Sequence, residues 1–286
     1  MAQDIESLDW MSAKTKREAM TKLAAIVNKI GYPEHGRDYA TAEVVRGDLV
    51  GDVERLNQYE FRRRMNKVGK PVDRTEWDMS PPTVNADYDP QRNDINFPAG
   101  ILQPPFFSRK WDDASNYGAI GSVIGHELTH GFDDEGRQFD PQGNLRDWWT
   151  PEDAKRFEER AACLVSEYGN FSPVPDVKLN GKLTLGENTA DNGGVRLALM
   201  ALHQASGGKH DRAGGYTTDQ RFFLSYAQVW CQNVTEEASR LRAATDPHSP
   251  GKYRVNGTLA NMPEFGKAFS CKANQPMTSA PACRVW

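Results

Sequence analysis

A helix-dominated α+β domain with a small edge-strand sheet is the fold this 286-residue sequence predicts. Most of the chain falls into segments with apolar residues at helical spacing, punctuated by cap signals at Ser12 and Thr150 and by Gly or Pro stops after the first two. Two short β-like runs are crowded into a single Pro- and Asn-rich stretch. No internal repeat, low-complexity tract or linker divides the chain, so residues 1–286 are expected to form one domain.

Residues 10–30, WMSAKTKREAMTKLAAIVNKI, read as the first long helix, with Ser12 as N-cap and Gly31-Tyr32-Pro33 as the stop. A second helix is expected over about 52–68, ending near Gly69. Within MSPPTVNADYDPQRNDINFPAGILQPPFF, Thr83–Tyr88 and Asp94–Phe97 suit strands, and Asp89-Pro90 with Gln91–Asn93 suits the turn between them. From Ser115 the helical period returns, with Ile120, Val123, Ile124, Leu128 and Phe132 on one stripe. Gly121, Gly125 and Gly131 suit a helix closely packed by neighbours. Further helices are expected at 151–168, capped by Thr150 with Pro151 next, at 187–205 and at 218–232. From 246 onward the chain reads as loop-rich, with a short helix near 262–270.

Hydrophobic content of 38% suits a folded domain, and a net charge of −4 is no footprint of a nucleic-acid binder. The basic run Arg62-Arg63-Arg64 with Lys67 and Lys70 suits a solvated helix face. No apolar run approaches the roughly 18 residues that span a bilayer. Met1–Glu6 has neither the basic nor the apolar region of a signal peptide. The four cysteines, Cys163, Cys231, Cys271 and Cys283, form no Cys-x-x-Cys pair, and spacing leaves all three full pairings open.

The chemistry concentrates in IGHELTHGFDDEG. On a helix, positions four apart have side-chain roots about 5–6 Å apart, so His126 and His130 can converge on one metal ion. Glu127, about 100° round the axis from His126, can serve as general base without ligating. A five-residue match arises by chance on the order of once in a hundred chains this long. The surrounding apolar and glycine positions imply burial, where two histidines and a glutamate need a ligand.

A catalytic zinc usually takes three protein ligands. The extended pattern that places a third histidine six positions beyond the second is excluded, because that position is Gly136. The other histidines are His35, His203, His210 and His248. A carboxylate from LTLGENTADNGGVRLA is the better candidate. Glu187 and Asp191 share a helix face, so one can ligate while the other accepts a proton from a ligand imidazole. Read alone, Glu187 suits a helix start and Asp191 a solvated position; the need for a third ligand tips the balance.

Together with VNADY, NFPAGILQPPFF, NYGAIGSVIGHELTHGFDDEGRQFD, GNLRDWW, GENTADNGG, FFLSYAQVWC, DPHSPGKYRVNGTLAN and the terminal CRVW, these residues resemble the neprilysin and endothelin-converting enzyme family of zinc metallopeptidases. The likeness runs in the family's order from about Trp10 to Trp286. It implies a thermolysin-like catalytic domain holding one zinc ion, and an endopeptidase acting on oligopeptides.

By that resemblance His126, His130 and Glu187 would hold the zinc. Glu127 would polarise the attacking water and pass its proton to the leaving amine. Asp191 would orient His126, and Asp133 would serve His130 in the same way. His248 would stabilise the oxyanion of the tetrahedral intermediate, and Arg254 would anchor carbonyl groups of the substrate. Asn85 and Ala86 would lie on an edge strand that pairs with an extended peptide. Ile101, Phe106, Val123, Val229 and Trp230 would line the pocket after the scissile bond, implying cleavage on the amino side of large hydrophobic residues. Asp134 and Glu135 are left as solvated carboxylates at a helix end.

Two departures stand out. Asp87 occupies a position where the family usually has an aromatic, and a carboxylate there could alter preference at a neighbouring subsite. The family's long helical region upstream, which caps the cleft, is not in this sequence. The resemblance pairs Cys163 with Cys283, closing a loop of about 120 residues and contributing up to about 4–5 kcal/mol. Cys231 and Cys271, whose partners in the family lie upstream, would then be free or mispaired. A disulfide places the parent protein in an oxidising compartment, as a secreted, periplasmic or ectoenzyme form. Asn170, Asn233 and Asn256 head Asn-x-Ser/Thr sites that matter only in a eukaryotic secretory pathway. The reading from another class is a zinc-stabilised peptide-binding fragment with little turnover.

Overall fold

The computed structural model describes residues 1–208, 211–272, 275–279 and 281–286. His210 lies outside them. After a short helix α1 (Ala2–Ser7), the predicted first long helix is shorter than the sequence suggests: α2 covers Ala13–Ala24. Ser12 caps it, accepting from the Thr15 N–H. Residues expected to continue this helix instead form strand β1 (Val27–Gly31). The cause is non-local, since β1 pairs in parallel with a strand more than sixty positions away, Val27 opposite Asp94.

Helix α3 (Leu49–Met65) appears near the expected place and buries no residue. Strand pairing in the Pro- and Asn-rich stretch is limited to β2 (Asp87–Asp89) and β3 (Asp94–Pro98), an antiparallel pair. The sheet order is β1-β3-β2, so β2 is an outer strand. Asn85 and Ala86, expected on that strand, instead lie in the unpaired segment just before it.

The central helical stretch starts at α4 (Asp113–Asn116), continues through a π-helical turn at Tyr117–Gly121, and ends in α5 (Ser122–His130). Helices α6 (Pro151–Gly169), with Thr150 as N-cap, and α7 (Leu185–Ala205) follow closely the expected ranges. A two-residue hairpin, β4 (Arg212–Ala213) with β5 (Tyr216–Thr217), leads into α8 (Thr218–Val229).

The C-terminal region is more helical than predicted. It contains α9 (Glu236–Thr245), α10 (Gly251–Ala260) and α11 (Pro263–Ala268). α10 has two glycines and no side-chain cap, so its helicity comes from tertiary burial of Tyr253, Arg254, Thr258 and Leu259 rather than from propensity.

Helices α5 and α7 cross at glycine on both sides. A Cβ on Gly125 would lie 2.5 Å from the Gly194 carbonyl oxygen, and one on Gly194 would lie 2.5 Å from the His126 nitrogen. Gly121 and Gly131 meet no such obstacle, their nearest contacts being 3.4 and 3.3 Å. Three apolar clusters support this crossing. One gathers Trp10, Phe132, Trp149, Phe157 and Trp286; a second joins α7 and α8 through Val195, Leu199, Phe222 and Phe223. The third lies beside the three-stranded sheet, from Ala86, Ile95, Phe97, Ile101 and Ile120. Among the described residues no helix is long and apolar enough to cross a membrane.

Candidate metal centre

The crossing of α5 and α7 sets two imidazoles against one carboxylate. His126 and His130, one turn apart on α5, bring their Nε2 atoms to 2.9 Å. Glu187, in the first turn of α7, lies 3.3 Å from His126 Nε2 through Oε2 and 3.6 Å from His130 Nε2 through Oε1. Among the described residues these three form the His/Cys/Asp/Glu group able to hold a metal ion. His203 is elsewhere, paired with Asp219 at 2.8 Å.

Each imidazole is held from behind by an acid. Asp191 Oδ1 lies 2.9 Å from His126 Nδ1, and Asp133 Oδ2 lies 2.6 Å from His130 Nδ1. With Nδ1–H donating to a carboxylate, each ring presents its Nε2 lone pair to the centre. Two lone pairs 2.9 Å apart repel unless a cation lies between them. Glu187 Oε2, buried without a hydrogen-bond donor, makes the same demand. Two imidazole nitrogens and a carboxylate oxygen are a donor set suited to zinc, so the residues present fit that ion.

The surrounding carboxylates favour positive charge at this point, whether a proton or a metal ion carries it. Burial alone would lower the His126 pKa, but the Asp191 and Glu187 carboxylates overcome it and raise it to about 10. Burial would push Glu187 up, yet the two histidines and Arg254 hold it well below the usual carboxylate range. Glu127, only 4% exposed, moves the other way because burial outweighs the pull of both imidazoles.

The sequence-predicted residues meet in one cavity of about 510 Å³. It is lined by the metal group, Glu127 and Asp191. Asn85, Ala86 and Asp87 also line it, while Ile101, Phe106, Val123, Val229 and Trp230 supply the apolar lining. His248 reaches in from the loop before α10, with Nε2 3.2 Å from Glu187 Oε1 and Nδ1 2.8 Å from Asp246 Oδ1.

Arg254 is more firmly built in than a loop residue. It sits on α10, 6% exposed, and forks onto Asp191 through Nε at 2.7 Å and Nη2 at 2.6 Å. That pair leaves Nη1 as the donor available to a ligand. The guanidinium also stacks 3.8 Å over the Trp230 ring centroid.

Sequence reasoning missed several supports. Tyr226 lines the cavity and donates its hydroxyl to the Arg254 carbonyl at 3.0 Å. Ser249 donates to Asn188 Oδ1 at 2.8 Å, tying the His248 loop to α7. Asp246, two residues before His248, was visible in DPHSP as a possible imidazole partner. Asp134 corrects the expectation of a solvated carboxylate. Its Oδ1 is buried without a donor, and burial, followed by Asp133, pushes its pKa up to about 6.

This helical fold and its imidazole–carboxylate centre, with an acid beside it in an apolar-walled cleft, define a metallopeptidase-type domain. The profile of peptidase family M13 matches residues 85–285, and a second M13 profile matches residues 1–33. The chain belongs to peptidase family M13. It is 42% identical to an endothelin-converting enzyme homolog of Locusta migratoria, over 99% of this chain and 40% of that protein. It is 43% identical to neprilysin-11 of Caenorhabditis elegans, over 97% and 34%. The zinc metalloprotease ZMP1 of Mycobacterium tuberculosis, solved with an inhibitor, superposes with a TM-score of 0.95 at 41% identity, covering 100% of this chain and 44% of that one. The chain thus spans about two-fifths of the length of the curated relatives it matches.

The Cys163–Cys283 disulfide expected from the resemblance is present, while Cys231 and Cys271 are free thiols.

Proposed function

We propose that this chain carries the catalytic machinery of a zinc-dependent endopeptidase that hydrolyses oligopeptides on the amino side of large hydrophobic residues. The observation that carries the reading is the convergence of His126, His130, Glu187 and Glu127 in one cleft with an apolar wall. Bound by the three ligands, one zinc ion would supply Lewis acidity to the scissile carbonyl.

The chain's own groups do the rest. The Glu127 carboxylate takes a proton from the attacking water and returns it to the leaving amine. Its raised affinity for a proton, due to burial, suits that exchange. Arg254 Nη1 and, in the imidazolium form of the ring, His248 Nε2 are donors for the carbonyl oxygen as it gains charge. Asp191 and Asp246 hold those two donors in place before substrate arrives. The substrate backbone lies along Asn85 and Ala86 beside the outer strand β2, and the Phe106, Val123 and Trp230 wall takes the side chain after the cut. The disulfide supports an oxidising compartment, with the parent secreted, periplasmic or an ectoenzyme.

A fluorogenic peptide with Phe or Leu after the scissile bond tests the reading. Cleavage should be abolished by a chelator, restored by zinc, and lowered about 10²–10⁴-fold in Glu127→Gln with zinc content unchanged. A wild-type chain that binds zinc and peptide without cutting would instead be a zinc-stabilised peptide-binding unit.

A further inference from the structure

Helix α2 lies outside the metal centre, yet one of its side chains reaches the turn behind it. Lys22 is 0% exposed. Its Nζ donates to the carbonyl oxygens of Gly136 at 2.6 Å and Phe139 at 2.8 Å. The ammonium also lies 5.7 Å from the Tyr88 ring centroid and 5.6 Å from that of Phe132. Burial pushes its pKa down to about 7, against the attraction of Asp133 and Asp140. Packing alone does not call for a lysine here, because an apolar side chain of similar volume would fill the space without the desolvation.

From this ammonium a short path leads to a candidate metal ligand. Gly136 is held on both sides: its carbonyl by Lys22, and its N–H by Asp133 Oδ1 at 2.7 Å. The other oxygen of Asp133 meets His130 Nδ1 at 2.6 Å. The turn has little freedom to take another course. A Cβ on Gly136 would stand 1.7 Å from the His130 carbonyl oxygen, so the chain folds back against the end of α5.

We propose that Lys22 is a positioning residue of the metal centre: by clamping Gly136 and Phe139 it fixes the turn that aims Asp133 at His130, and so sets how tightly His130 holds zinc. This rests on the metal site proposed above and not on peptide cleavage. It places one determinant of the site more than a hundred residues before the motif, in the segment matched by the second M13 profile.

The test reads metal affinity on the full 286-residue chain, using Zn²⁺ in competition with a chromophoric chelator, and Co²⁺ absorption as a report on ligand geometry. Lys22→Met keeps the apolar stem and removes the donors. It should weaken zinc binding about tenfold, within the range for groups that orient ligands, and alter the Co²⁺ spectrum. In an Asp133→Asn background the same change should cost no further affinity, because both act through one contact. A merely structural lysine would lower the melting temperature of the metal-free chain and leave zinc affinity alone.

A folded Lys22→Met variant with wild-type zinc affinity, or losses that simply add in the double variant, overturns the proposal. Should Lys22→Met fail to fold, Lys22→Gln retains a shorter donor. A smaller loss that again vanishes beside Asp133→Asn supports the clamp; unchanged affinity overturns it. A wild-type chain that takes up no zinc defeats both the metal reading and this proposal. One that binds zinc but cuts no peptide defeats the peptidase reading alone.

Discussion

Asp87 and Glu127 are both carboxylates forced upward in pKa in the same cleft, but only for Glu127 does the proposed reaction use the shift. Asp87 is pushed up to about 6 by burial first, then by the negative charge of Glu127, Asp94, Asp89 and Asp78, and its Oδ1 has no donor. Because about 6 exceeds the ordinary 3.8, the folded chain holds this proton more tightly than the unfolded chain. Stability from this group is therefore complete below pH 3.8 and is lost as pH rises through about 6. Asp87→Asn should raise stability at pH 8 by about 1 kcal/mol, after allowance for partial solvent access, and change little near pH 3.5. Thermal unfolding at the two pH values checks this; equal shifts at both would contradict the assignment.

At the level of elements, the glycine crossing of α5 and α7 decides whether the ligands meet. Gly125→Ala must push the Gly194 backbone away, since neither partner atom belongs to a flexible side chain. A loss of about 1–3 kcal/mol is expected from such overpacking, together with weaker zinc binding. Gly121→Ala, where a Cβ has room, should leave both nearly unchanged. Urea unfolding and a zinc titration on the pair of variants distinguish them.

Much of this arrangement was legible in the sequence because its signals are local. His126, Glu127 and His130 fall within one turn of helix, and Glu187 and Asp191 within another. Their mutual approach was an inference from chemical need rather than from pattern. β1 was not legible: AAIVNKI satisfies helical spacing, and its strand identity depends on Asp94–Pro98 far along the chain. α10 was hidden by Gly251 and Gly257, the latter lying where a Cβ would sit 2.7 Å from the Tyr168 ring. α9 does carry a readable start, Thr235 capping Ala238 with Glu236 and Glu237 next. Arg254 read as a loop residue for the same reason that α10 did.

On the scale of the whole molecule, distant segments are tied together beneath the site. The Cys163–Cys283 disulfide joins α6 to the last residues across a sequence separation of 120. Cys163→Ala with Cys283→Ala should cost about 2–5 kcal/mol in stability. Zinc affinity should remain near wild type at temperatures where the variant stays folded, because neither sulfur touches the ligand set. Denaturant midpoints and metal titration of the double variant check both statements.

The aromatic cluster has a consequence for the order in which this protein becomes itself. Trp10 donates its indole N–H to the Val285 carbonyl, 275 positions away, and its ring packs 6.0 Å from that of Trp286. Phe132, next to Asp133, packs 5.8 Å from the same Trp286 ring. During synthesis the histidines and Glu187 therefore emerge well before the core that steadies them can close. For that interval the chain offers a newborn set of imidazole and carboxylate donors with no fixed geometry, open to whichever divalent transition-metal ion arrives first. Choice of the right ion then belongs partly to the compartment in which the last turn of chain is delivered, and not to the finished fold alone.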